Sequence, residues 1–177
     1  MKLTWFGGTT LRIYLGGMIL VIDAASAPEG IDRAELVSGA DQVVEGFGAA
    51  LGAVDPATWR PRKPARMIGE EADTPLMQAW KAGDGAILVE AIGEPPLLLA
   101  RGRLPALGRW AGEAVVVLFG DGAQMSALGE QLLGGTQPQL IGLAGGEQAV
   151  DAAIGALRDQ LDGAGLVALE AGLALEV

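Results

Sequence analysis

MKLTWFGGTTLRIYLGGMILVIDA, residues 1–24, begins with two segments in which apolar and polar side chains alternate with the period of a β-strand. Leu3 and Trp5 interleave with Lys2 and Thr4. Leu11, Ile13 and Leu15 then interleave with Arg12 and Tyr14, so each segment has one apolar face. Gly16-Gly17 supplies the two positive-φ positions of a tight hairpin. The run MILVI after it is apolar throughout, as expected of a strand covered on both faces. The chain therefore opens as a sheet with one face to bury.

Working outward, Ala24–Gly30 reads as a loop, Ile31–Val37 as a short helix and ADQVV (40–44) as a buried strand. EGFGAALGAVDPATW (45–59) is small and flexible. RPRKPAR (60–66) concentrates Arg60, Arg62, Lys63 and Arg66, and its two prolines exclude a helix interior. It reads as a solvated loop, or as a contact for an anion or a partner. PLMQAW, AILVEAI and PLLLA predict a strand meander with Asp84-Gly85 as a hairpin turn. Thr74-Pro75 offers a helix start as an alternative for the first of these. EAVVVLF and PQLIGLA read as buried strands.

Two helices are predicted from periodicity. Met125, Leu128 and Leu132 share one face, ended by Gly134-Gly135, and Val150, Ile154, Leu157 and Leu161 share another. LVALEAGLALEV (166–177) reads as a closing hairpin. Strands first, then strands mixed with helices, predict a single α/β domain over residues 1–177, an αββα-type layered sandwich. Trp59 and Trp110 read either as interface anchors or as lids on the core.

Composition sets outer bounds. Twenty-two acidic against twelve basic residues give a net charge of −10, which argues against a nucleic-acid partner. No cysteine means no disulfide or thiolate chemistry. The N-terminus lacks the uninterrupted apolar core of a signal peptide. The longest uncharged apolar run, YLGGMILVI, is far below the roughly 20 residues a bilayer span needs. A cytoplasmic protein without a membrane partner is expected.

TWFGG, LRIYLGG, MILVIDA, ADQVVE, FGDGAQM and LVALEAGLALEV, in that order, resemble motifs of the metallo-β-lactamase superfamily. The likeness is to its small ascorbate-6-phosphate-lactonase-like branch. It covers most of the chain and is thinnest between Gly52 and Gly83. The resemblance implies a shortened version of that family's sandwich. It also implies where a binuclear metal centre would lie. The family's H-x-H-x-D-H motif falls on Phe47, Ala49, Leu51 and Gly52, and the histidine of its W-L-G-H stretch on Gly8. Its bridging aspartate falls near Arg103, and its late histidine on Ala144.

None of these side chains ligates a metal, and the chain has no histidine at all. Zinc centres of this kind need imidazole and carboxylate donors at about 2.0–2.2 Å, and the metal is what activates the attacking water. The expectation is a protein without metal or other cofactor and without the family's catalysis.

What remains is a set of charged residues at strand ends. Asp23 matches the family's I-D-P aspartate, and also reads as a turn aspartate bonded to backbone amides. Asp23, Glu45, Arg101, Arg103 and Asp121 are implied to share one rim. They form either a salt-bridged patch filling the vacated space or a pocket for a small anion. Three functional readings follow. The first is a non-catalytic pseudoenzyme acting through self-association or a protein partner. The second is a sensor or carrier of a small anionic ligand, with Arg101 and Arg103 as anchors beside Asp23 and Asp121. The third is a metal-free hydrolase dependent on Asp23.

Overall fold

The computed structural model describes residues 1–63 and 76–177. In chain order it has β1 (Lys2–Gly7), β2 (Thr10–Leu15), β3 (Met18–Ile22), α1 (Arg33–Val37) and β4 (Gln42–Val44). The antiparallel strands β5 (Met77–Gly83), β6 (Ala86–Ala91) and β7 (Leu97–Arg101) follow. Then come β8 (Val115–Phe119), α2 (Gly122–Leu133), β9 (Leu140–Ala144), α3 (Glu147–Leu157), β10 (Gly165–Ala168) and β11 (Ala174–Glu176).

Among the described residues the strands form two sheets, ordered β11-β1-β2-β3-β4 and β10-β9-β8-β7-β6-β5. The alternation read in residues 1–24 explains how they meet. Leu3, Trp5, Leu11, Ile13, Leu15, Leu20 and Ile22 all point inward from the first sheet. They pack on Ile87, Val89, Leu97, Leu99, Val115 and Val117 of the second. The opposite parity of the second sheet, Leu88, Leu98, Val116 and Leu118, packs under α2 and α3. This is why β6 and β8 are buried at every position and why their sequences carry no alternation. On the outer face of the first sheet, Leu36 of the five-residue α1 covers Val21, Ala24 and Ala27. The packing order is a short helix, a sheet, a sheet and a helix pair, a mixed α/β architecture.

Local signals hold at most turns. Gly16 and Gly17 have φ of 59° and 82°, and Gly85 after Asp84 has φ of 78°. The helix expected over Ile31–Val37 begins later, because the Asp32 side chain caps it by accepting from Ala34 and Glu35 N–H. The helical face expected to reach Leu161 stops at Leu157, and a 3-10 turn, Arg158–Gln160, follows. Thr74-Pro75 and Arg66 lie outside the described residues.

The closing hairpin is a correction. β10 pairs in parallel with β9, and β11 pairs antiparallel with β1, so the two strands lie in different sheets. Between them Leu169 is buried among residues of both inner faces, and the Gly172 N–H reaches the Trp5 carbonyl at 2.7 Å. Strand parity marks which side of a segment is apolar but not which sheet receives it.

The tryptophans lid the helix-side core. Trp59 stands edge-on to Trp80 and Trp110, with ring centroids 6.1 and 5.1 Å away, and the Trp110 indole donates to the Pro56 carbonyl at 2.7 Å. Beside them the basic segment is more than a solvated loop. Arg62 Nε lies 2.6 Å from Glu90 Oε2, and the Arg62 backbone N–H donates to Glu90 Oε1. Glu90 is almost wholly buried in β6, and this ion pair is what its charge requires there.

Candidate functional site

The strands β7, β8 and β9 are parallel neighbours, so their C-terminal ends come together. Arg101 pairs in register with Phe119, and Phe119 with Ala144. All three line a cleft of about 840 Å³, closed on the other side by the turn Gly7-Gly8-Thr9 and by Ser26. The C-terminal edge of parallel strands is where α/β sheets generally bind ligands, because the chain leaves the sheet there in loops free to vary.

Glycine at two points lets the walls of the cleft pack closely. Gly8 has φ of 54°, and a β-carbon there would come within 2.9 Å of the Ser26 carbonyl oxygen. A β-carbon on Gly145 would meet the Gly120 carbonyl oxygen at 2.9 Å and the Met125 Cε at 2.7 Å.

Arg101 supplies the positive charge. Its guanidinium carbon lies 4.4 Å from the centroid of the Phe47 ring, which in turn stands edge-on to Phe119 at 5.6 Å. The aromatic face attracts the cation and holds it in place. Phe47 sits in left-handed backbone, φ 49° and ψ 49°, a rare state for a bulky residue. Among the described residues no carboxylate forms an ion pair with Arg101. The one carboxylate in the cleft lining, Asp84, pairs with Lys81 at 3.0 Å.

Asp23 lies beneath the wall rather than in it. It is buried and left-handed at φ 51° and ψ 50°. Its Oδ2 accepts from Thr9 Oγ1 at 2.5 Å and Ser26 Oγ at 2.7 Å, and both hydroxyl residues line the cleft. Its backbone is fixed as well: the N–H donates to Val44 O, and its carbonyl accepts from Thr10 Oγ1.

No family model, curated protein or solved structure matches the chain. The site is therefore read from its own residues.

The charged residues expected on one rim separate. Arg101 lines the cleft, and Asp23 backs it through two hydroxyls. Arg101 and Arg103 are both exposed, but Arg103 lies outside the lining, so the expectation of two arginine anchors reduces to one. Asp121 caps α2 in a reciprocal pair with Gln124 and does not line the cleft. Glu45 is exposed and also outside the lining. No ion pair joins any two of these residues, so the salt-bridged filling is overturned in favour of an open cleft.

The positions where the resemblance implies metal ligands do not fit a binuclear centre. Gly8 and Ala144 line the cleft without a donor side chain, and Phe47 backs it as a ring. Ala49, Leu51 and Gly52 lie outside the lining, as does Arg103. Among the described residues no group of three or more His, Cys, Asp or Glu comes together. No helix among them is long and apolar enough to cross a membrane.

Sequence reading missed Thr9, Ser26 and the ring of Phe47. An aspartate followed three residues later by serine, as in Asp23-Ala24-Ala25-Ser26, is a local cue for the Ser26 contact. Thr9 arrives only through the hairpin.

Proposed function

We propose that this protein is a non-catalytic, metal-free relative of the metallo-β-lactamase superfamily that binds a small anionic ligand in the cleft at the C-terminal ends of β7–β9. What carries the reading is Arg101. It is a guanidinium in the wall of an open cleft of about 840 Å³, seated on Phe47 and free of any carboxylate partner among the described residues. A guanidinium so placed offers bidentate hydrogen bonds to a carboxylate or phosphate. The relationship to the superfamily is supported by the order of the quoted motifs and by the layer order. Where that family keeps imidazoles, this cleft has glycine and alanine. A ligand can therefore be held, but no metal hydroxide can be made to attack it.

The test is titration of the full chain with inorganic phosphate and with succinate, followed by ¹⁵N–¹H spectra. Binding is expected to shift the amides of Gly8, Gly102 and Gly145, and Arg101→Gln is expected to weaken it about tenfold, as loss of a charged hydrogen bond does. Saturable shifts elsewhere, or none, would retire the reading.

A second reading, self-association or a protein partner, has its own support. On the outer face of the first sheet Tyr14 is 51% exposed and Val43 42%. Tyr14 pairs in register with Ile19, and Val43 with Val21, so they extend one apolar band. Sedimentation equilibrium separates the cases: a dimer favours this face, and a monomer removes self-association.

A further inference from the structure

We infer that the cleft selects anions that also carry a hydroxyl or ammonium group, with Arg101 holding the anionic end and the oxygens of Thr9 and Ser26 accepting the donor; the inference rests on the ligand-binding reading above. A serine or threonine hydroxyl has one hydrogen to give and two lone pairs with which to accept. Both hydrogens are committed to the same atom, Asp23 Oδ2, at 2.5 Å from Thr9 and 2.7 Å from Ser26. An ionised carboxylate only accepts, so it holds both hydroxyls in this orientation. Thr9 and Ser26 line the cleft, and with their hydrogens committed, what their hydroxyls can offer a ligand there is lone pairs.

The arrangement is rigid. Asp23 is 4% exposed, and its N–H and carbonyl are tied to Val44 and Thr10. Its negative charge lies behind the two oxygens, which raises the attraction for a positively polarised hydrogen in front of them. Arg101 gives another part of the same cleft the opposite polarity. Such a site is bipolar. A ligand made only of acceptors satisfies the arginine and meets the hydroxyl oxygens lone pair to lone pair. A hydroxy acid or an amino acid satisfies both.

The left-handed backbone of Asp23 and Phe47 supports this assignment independently. They are the two non-glycine residues with positive φ among those described. One holds the hydroxyl pair and the other seats the guanidinium. Backbone strain of this kind persists where surrounding structure enforces it, and it clusters at binding sites.

The experiment uses succinate, malate and aspartate, which share one four-carbon dicarboxylate skeleton and differ at one carbon by hydrogen, hydroxyl or ammonium. Each is titrated into the full chain and followed by ¹⁵N–¹H spectra. Malate and aspartate are expected to bind about tenfold tighter than succinate, the size of one well-made hydrogen bond to a charged network. Ser26→Ala is expected to shrink that ratio severalfold, and Thr9→Val provides the same test with its shape retained. Arg101→Gln is expected to weaken all three together. Equal, Arg101-dependent affinities for the three would overturn donor selection and leave the anion site standing. A malate-to-succinate ratio unmoved in both hydroxyl variants would assign the hydroxyls to structure alone and overturn the inference. Absence of saturable shifts at the cleft for every probe would overturn both the inference and the reading beneath it.

Discussion

At Gly8 the backbone is left-handed, φ 54°, and its missing side chain leaves room for the Ser26 carbonyl. The metallo-β-lactamase resemblance implies a histidine at this place. A β-carbon would be 2.9 Å from that carbonyl oxygen, closer than real β-carbons come to their neighbours. Restoring a donor here means moving backbone as well as changing one residue. Gly8→Ala is expected to destabilise the fold by about 1–3 kcal/mol, through left-handed strain and the carbonyl contact together. Urea denaturation checks it, and a stability change within a few tenths of a kcal/mol would mean the turn relaxes freely. The same scale explains what was legible of the site. Arg101 stands out in sequence as a cation ending an apolar strand. Thr9 and Ser26 do not, because a hydroxyl gains meaning only when a distant turn brings it to Asp23.

At the scale of elements, the apolar periodicity of a segment reports how many of its faces are covered. That was enough to find β1 and β2 from alternation and β3 and β8 from their unbroken runs. It does not report the partner, and so β10 and β11 read as one hairpin although they serve two sheets. The helix pair makes a related point about size. Gly129 in the middle of α2 lowers helix propensity, and on an exposed helix Gly→Ala would stabilise by about 1 kcal/mol. Here a β-carbon would stand 2.4 Å from Leu157 Cδ1 and 2.7 Å from Cδ2. Leu157, the last residue of α3, is fully buried in the core it shares with α2. Overpacking costs of about 1–3 kcal/mol outweigh the propensity gain. Gly129→Ala is therefore expected to lower stability, read as a lower urea midpoint with unchanged slope. A raised midpoint would show that the two helices can separate without loss.

For the whole molecule the question is whether any of the fold's stability depends on a metal ion. Inner faces of two sheets, an outer helix pair and a short outer helix each bury apolar side chains. The buried charged groups have their own partners: Asp23 has two hydroxyls, and Glu90 has Arg62. No cluster of donors among the described residues is left for a cation to organise. A protein that binds an ion only when folded is stabilised by it through mass action, by about 2.7 kcal/mol when free metal is 100 times the dissociation constant. In a chain of this size that raises the melting temperature by about 5–10 °C, within the scaling of unfolding entropy with length. Neither a chelator nor added zinc, manganese or magnesium is expected to shift the melting temperature of untagged protein, since a histidine tag would supply false ligands. Plasma mass spectrometry on the same preparation is expected to find no stoichiometric metal. A chelator-induced fall of several degrees, with stoichiometric metal before treatment, would place ligands in this chain that the cleft's geometry does not provide. It would also reopen the hydrolytic chemistry that glycine at position 8 and alanine at position 144 argue against.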